Sequence, residues 1–193
     1  MTRGMRNNNP LNIRHSASRW QGARVEQTDG SFVQFVSMAY GYRAAWKVLE
    51  SYWKHFKRGR LPFTVGNIIH RWAPPSENHT DAYVRTVLKL TSLGGNEHLP
   101  RPFAGIAIDK LVRLLAAMTT MECGIPYREV DVQAIWDGYE LAFPGKLCKD
   151  PPVRPSEGSP IVETPFHIDL PADVEACRHW DEYWDWSPRR HME

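Results

Sequence analysis

Apolar residues recur every three or four positions in five separate stretches of the chain, a period that commits it to a mainly α-helical fold. The clearest stripe is Tyr42, Ala45, Trp46, Leu49, Tyr52, Trp53 and Phe56, with Arg43, Lys47, Glu50, Lys54 and Lys57 opposite. A second starts behind Thr64, a residue suited to capping a helix N-terminus, and carries Val65, Ile68, Ile69 and Trp72 up to Pro74-Pro75. A third, capped by Asn78 or Thr80, presents Tyr83, Val84, Val87 and Leu88 before Gly94-Gly95. Ile108, Leu111, Val112, Leu115 and Met118 form the fourth. Val132, Ile135, Trp136, Tyr139 and Phe143 form the fifth, which stops at Pro144-Gly145.

The fourth stripe ends on a carboxylate. Glu122 continues its apolar face, and Gly124 and Pro126 then stop the helix, one by accepting a left-handed cap and the other by lacking an N–H. Burial and the negative end of the helix dipole both disfavour the charged form there, so the pKa of Glu122 should rise. A carboxylic acid still protonated near neutral pH can serve as a general acid. The plainer alternative is a Glu122 that leans into solvent or pairs with Arg113, Arg128 or another cation.

Between residues 23 and 36 the period changes to two, with Val25, Gln27, Phe32 and Gln34 flanking Asp29-Gly30. Asp-Gly supplies the positive φ angles of a type I′ turn, which predicts one small β-hairpin with Glu26 in its first arm. Ahead of it, Arg3 to Arg14 holds too many Asn residues, and a proline, for a helix, and reads as an ordered loop. Its Asn side chains offer both donors and acceptors for a sugar, although bonds to their own backbone are the commoner use. Trp20-Gln21-Gly22 adds an aromatic that is either a core plug or a stacking platform.

The 193 residues suffice for one domain, expected over 1–148, with 149–193 as an extended tail rich in Pro, acidic and aromatic residues. Net charge is +2, but the last 43 residues hold four Lys/Arg and nine Asp/Glu, leaving a body of about +7. That balance suits an anionic polymer or simply a well-solvated surface. No apolar run approaches the roughly 18 residues of a membrane helix, so no membrane partner is expected. Met-Thr-Arg-Gly-Met-Arg-Asn lacks the apolar core of a signal peptide, which reads as synthesis in the cytoplasm. Cys123, Cys148 and Cys177 have no metal-site spacing and read as thiols. With no phosphate-cradling glycine loop either, no metal or cofactor is expected.

Taken together, Arg3-Gly4-Met5-Arg6-Asn7-Asn8-Asn9-Pro10-Leu11-Asn12-Ile13-Arg14, Trp20-Gln21-Gly22, Gln27-Thr28-Asp29, Phe32-Val33-Gln34-Phe35, Tyr40-Gly41-Tyr42-Arg43-Ala44 and Arg71-Trp72-Ala73-Pro74-Pro75-Ser76-Glu77-Asn78 resemble a family of phage and prophage proteins. Its members are virion structural proteins or lysozyme-like peptidoglycan-degrading proteins, and the likeness covers residues 3 to 143. Met121-Glu122-Cys123-Gly124-Ile125-Pro126-Tyr127 is similar to a Glu-Asn-Gly phrase of that family, with Cys123 in place of Asn. The phrase also resembles the end of the catalytic helix of lytic transglycosylases. There the Glu helix precedes the hairpin, whereas here it follows, which implies a circularly permuted lysozyme-like order.

The resemblance implies cleavage of peptidoglycan glycan strands with Glu122 as the acid, and Glu26 and Glu77 as alternatives for a second carboxylate. Asn7, Asn8, Trp20, Tyr42 and Tyr127 are the candidate sugar contacts. The protein would be virion-associated or released on lysis, with the tail as a docking segment for other phage proteins. The competing class is a non-catalytic phage or mobile-element structural or binding module. Nucleic acid ranks third, supported only by charge and by short capped helices.

Overall fold

The structure, a computed structural model, describes residues 1–76, 78–105 and 107–146. Glu77, Cys148, Cys177, the expected boundary at 148 and the tail all lie outside the described residues. The helices are α1 (Arg3–Arg6), α2 (Met38–Arg58), α3 (Val65–Trp72), α4 (Thr80–Thr91), α5 (Asp109–Cys123) and α6 (Val132–Ala142), with a 3-10 turn at Tyr127–Glu129. The five expected helices are therefore present as α2 to α6. The one-turn α1, inside the stretch read as loop, is additional.

Helix α5 is the centre. Leu111, Leu114, Leu115, Ala116, Ala117 and Met118 are all buried, so its apolar surface runs round the helix rather than along one face. Helices α1, α4, α6 and the 3-10 turn pack against it. The long α2 lies against α6, where the Trp46 indole donates to the Ile135 carbonyl at 3.0 Å and meets the Tyr139 ring edge-on at 5.0 Å. Gly138 permits this approach: a Cβ there would stand 2.7 Å from Tyr42 Cβ and 2.9 Å from the Arg43 nitrogen.

Helix ends follow side-chain chemistry with two departures from expectation. Thr64 does cap α3, its hydroxyl accepting from the Asn67 N–H at 3.3 Å, and Gly124 closes α5 in the left-handed conformation at φ +61. Thr80 does not cap α4. Its hydroxyl donates back to the Ala73 carbonyl while the Asn78 amide donates to Pro74, which folds the 73–80 connection onto itself. Helix α4 also ends earlier than Gly94-Gly95, at Ser92, which takes the left-handed φ of +54.

The expected β-hairpin gives way to two isolated antiparallel bridges, Arg14 with Phe32 and Ala23 with Phe35. Neither Asp29 nor Gly30 adopts the positive φ of a type I′ turn, because Asp29 is used otherwise. Its carboxylate accepts the Ser31 and Phe32 N–H groups at 3.0 Å each, the Arg3 guanidinium through two bonds of 2.7 Å, and the Asn7 amide at 2.7 Å. Burial alone would raise its pKa, but the Arg3 guanidinium and the amide donors outweigh burial and hold it well below the usual carboxylate range. The 31–36 segment runs between two neighbours, with the Val33 N–H on Ile13 and the Arg24 N–H on the Gln34 carbonyl. The Gln27 side chain replaces the missing ladder, donating to the Gln34 carbonyl and accepting the Gln34 N–H.

Each Asn of the opening run serves the fold. Asn8 and Asn12 both sit at φ +50, a region asparagine tolerates. Asn9 is fully buried, donating to the Ile13 and Val33 carbonyls at 2.8 Å and accepting the Ile13 N–H. Asn9→Ala strands that N–H and removes a bond from each carbonyl, at roughly 1–3 kcal/mol per stranded group. We therefore expect a loss of about 2–3 kcal/mol in denaturant unfolding. A change below about 0.5 kcal/mol would show that water replaces the amide.

Candidate functional site

Glu122 lies in the last turn of α5, partly buried, where three other segments converge on its carboxylate. Trp72, the final residue of α3, donates its indole N–H to Oε1 at 3.2 Å, and the Tyr83 hydroxyl from α4 donates to the same oxygen at 3.1 Å. Asn12 of the opening loop donates its amide to Oε2 at 3.1 Å. The left-handed backbone at Asn12 and the small Gly4 help bring that loop close: a Cβ on Gly4 would stand 3.1 Å from Asn12 Oδ1 and 2.9 Å from Cys123 Sγ. The buried Cys123 thiol donates to the Pro10 carbonyl at 3.2 Å and ties the same loop to the end of α5.

Burial pushes the Glu122 carboxyl up to about 7, against the pull of the Asn12, Tyr83 and Trp72 donors, which favour the ionised form. All three donors are neutral. Arg113, one of the two named ion-pair candidates, donates instead to the Thr91 carbonyl at 2.8 Å and reaches Asp109 at 3.5 Å. Arg128, the other, is exposed and stands 4.0 Å from Glu129. The two carboxyl oxygens are not equivalent. Oε1 has both lone pairs engaged by Trp72 and Tyr83, so a proton on Glu122 belongs on Oε2, which among the described residues holds only the Asn12 bond. The arrangement is an acid that exchanges its proton near neutrality, with that proton directed to one oxygen.

The other residues singled out in the sequence scatter. Asn7 is buried, donating to Asp29 and accepting from Gln34 at 3.2 Å, so its amide is spent within the fold, whereas Asn8 is half-buried and donates to the Phe35 carbonyl at 3.1 Å. Tyr42 is a core residue whose hydroxyl meets Thr119 at 3.0 Å; burial raises its pKa, against the pull of that bond. Buried as they are, Asn7 and Tyr42 offer no surface for a sugar. Trp20 is half-buried against the core, with its indole N–H buried and without a partner among the described residues. Tyr127 opens the 3-10 turn packed against α5, half-buried, with its hydroxyl pKa raised by burial against the Arg113 charge. Glu26 is exposed on the 24–28 loop, and Glu77 is outside the described residues.

The residues that do surround Glu122 carry no local mark of that role. Trp72 and Tyr83 sit on apolar stripes, and Asn12 is one Asn among several. The available signal was chemical: a buried Trp or Tyr has a polar tip that needs a partner, and a buried carboxylate needs donors. Among the described residues no three His, Cys, Asp or Glu side chains stand together as metal ligands. Two surface hollows of about 470 and 530 Å³ are lined by segments around Pro62 and His98 and include none of the Glu122 partners.

Fold and site together define a small helical domain organised round a donor-lined carboxylic acid. No family model matches the chain. It is 32% identical over 147 residues to Protein P5 of Pseudoalteromonas phage PM2, a match covering 74% of this chain and 83% of that protein. The chain belongs to the Protein P5 family and is a phage-related protein. No helix among the described residues is long and apolar enough to cross a membrane.

The raised pKa links Glu122 to stability. Folded, the group titrates at about 7, and its ordinary value is 4.5, so between those pH values the folded state holds the extra proton and stability falls as pH rises. The full effect is on the order of 3 kcal/mol, because each tenfold difference in proton affinity between folded and unfolded chain contributes about 1.4 kcal/mol. Thermal melts from pH 4.5 to 8.5 should therefore show the wild-type midpoint dropping relative to that of Glu122→Gln, which stays neutral throughout. Parallel curves would mean that the carboxylate titrates normally.

Proposed function

We propose that this phage-related protein cleaves the glycan strands of peptidoglycan with Glu122 as its general acid, on a lysozyme-like domain in permuted order. The observation that carries the reading is the enclosed carboxyl, held by neutral donors among the described residues, whose proton is directed to Oε2. The contact from Asn12 adds support, because a permuted order calls for the opening loop to lie beside the acid. In this reading Asn8, Trp20 and Tyr127 remain the sugar-binding candidates, and the protein acts from the virion or on lysis.

The chemistry needs one proton donor that can later accept a proton. Oε2–H protonates the glycosidic oxygen as the C1–O bond breaks, leaving an oxocarbenium-like sugar and the Glu122 carboxylate. Asn12, Trp72 and Tyr83 stabilise that carboxylate by the same hydrogen bonds that hold it beforehand. Among the described residues no second carboxylate bonds to this group. The attacking oxygen is then the sugar's own 6-hydroxyl, whose proton returns to Glu122 as the C1–O6 bond forms. The product is a 1,6-anhydromuramoyl end, lighter by one water than a hydrolysed end.

The same three hydrogen bonds also favour a second reading, a non-catalytic phage module in which Glu122 clamps the opening loop, α3 and α4 to the end of α5. Purified protein incubated with peptidoglycan sacculi, with released fragments analysed by mass spectrometry, separates the two. We expect 1,6-anhydro ends, a rate that falls as pH rises through about 7, and a loss of at least 10²–10⁴-fold in Glu122→Gln with the fold retained. Ordinary reducing ends would require a second carboxylate, with Glu26 and Glu77 the candidates. Sacculi left intact by the wild type would leave the structural module.

A further inference from the structure

The C-terminal end of α2 forms a basic and aromatic hollow of about 530 Å³, lined by Trp53, Lys57, Arg60, Leu61, Phe63 and Leu99. Lys57 lies over the Trp53 ring at 5.2 Å, and His55, Lys57 and Arg58 make up the basic last turn of the helix. Arg60 takes a left-handed φ of +54, and the Leu61 N–H then bonds back to the Phe56 carbonyl, a tight turn that leaves Leu61 52% exposed. The acid nearest in sequence to the lining residue Leu99, Glu97, is already tied to Lys110 at 2.5 Å and to the Gly94 N–H. Among the described residues the hollow therefore carries a surplus of positive charge beside exposed apolar surface, a combination suited to an acidic aromatic peptide.

The chain contains one such peptide. Trp180-Asp181-Glu182-Tyr183-Trp184-Asp185-Trp186 holds three acids, four aromatics and no base. The described body ends beside the hollow: the Trp53 ring meets Phe103 at 5.2 Å, and Phe103 meets Phe143 at 6.4 Å, three residues before Lys146. The 34 residues from Lys146 to Trp180 cover roughly 30 Å or more as a coil, ample to return to a site so near the exit point. Tethering at that distance gives an effective concentration on the order of millimolar, so weak contacts suffice.

We propose that the hollow at the end of α2 is the seat of the chain's own segment from Trp180 to Trp186. Trp rings fill the apolar floor formed by Phe63 and Leu99, and Asp181, Glu182 and Asp185 meet Lys57 and Arg60 at the rim. A segment held this way is masked in the isolated protein and is released when a more basic or more apolar surface competes for it.

Zero-length carbodiimide cross-linking of the full chain at physiological salt, followed by peptide mapping, tests the seat. We expect Lys57 joined to Asp181, Glu182 or Asp185 at least tenfold above the exposed reference Lys89. Trp184→Ser with Trp186→Ser should abolish that preference, and Arg60→Glu should reduce it severalfold, although neither removes a cross-linking group. A mixture of isotopically light and heavy chains should give unmixed cross-links. Cross-links joining light to heavy chains would make a second copy the occupant and overturn the proposal. Yields at Lys57 no higher than at Lys89, or unchanged in the double Trp variant, would overturn it equally.

Discussion

The apolar surface of α5 runs round the helix, and much of the architecture follows from the need to cover it. A helix buried on all sides demands neighbours on all sides, and α1, α4, α6 and the 3-10 turn supply them. At its C-terminal end that demand meets a carboxylate. Glu122 sits where the helix leaves its own carbonyls unsatisfied and where three other segments have already closed in. Burying an ionisable group there costs several kcal/mol unless donors compensate. The indole of Trp72, the hydroxyl of Tyr83 and the amide of Asn12 do so without adding charge. Neutral donors hold the group in place but leave its pKa near neutrality, whereas an arginine would have held it and driven the pKa down.

Asp29 shows the opposite solution. It too is drawn in among backbone groups, but it receives the Arg3 guanidinium besides its amide donors and stays ionised across the physiological range. One carboxylate anchors the opening helix to the 24–32 loop, and the other is left able to exchange a proton. Two acids in one small domain are thus given different roles by depth of burial and by the charge of their donors.

The phage relationship and the acid belong together only through the proposed reaction. The match to Protein P5 makes the chain a member of a phage family, and chemistry is argued from the site alone. A seated tail would add a second layer: the positive body and the negative aromatic end would satisfy each other until a partner intervenes.

By itself the sequence determined the helices, because a period of 3.6 and the Gly and Pro stops are local properties. The stripes from Tyr42 to Phe56 and from Ile108 to Met118 and the Gly124 cap are all where that period places them. It also marked Glu122 as an acid of raised pKa, since helix position and apolar face are both visible in one dimension. Only the tertiary structure decided what surrounds that acid. Asn12, Trp72 and Tyr83 lie 110, 50 and 39 residues away in the chain, and no local period says which polar tip meets which carboxylate. It likewise decided that Asp29 caps a loop anchored by Arg3 instead of turning a hairpin, and that Asn7 and Tyr42 serve the interior. Hydrogen-bond choice among equivalent amides and hydroxyls is settled by packing, which a sequence specifies only as a whole.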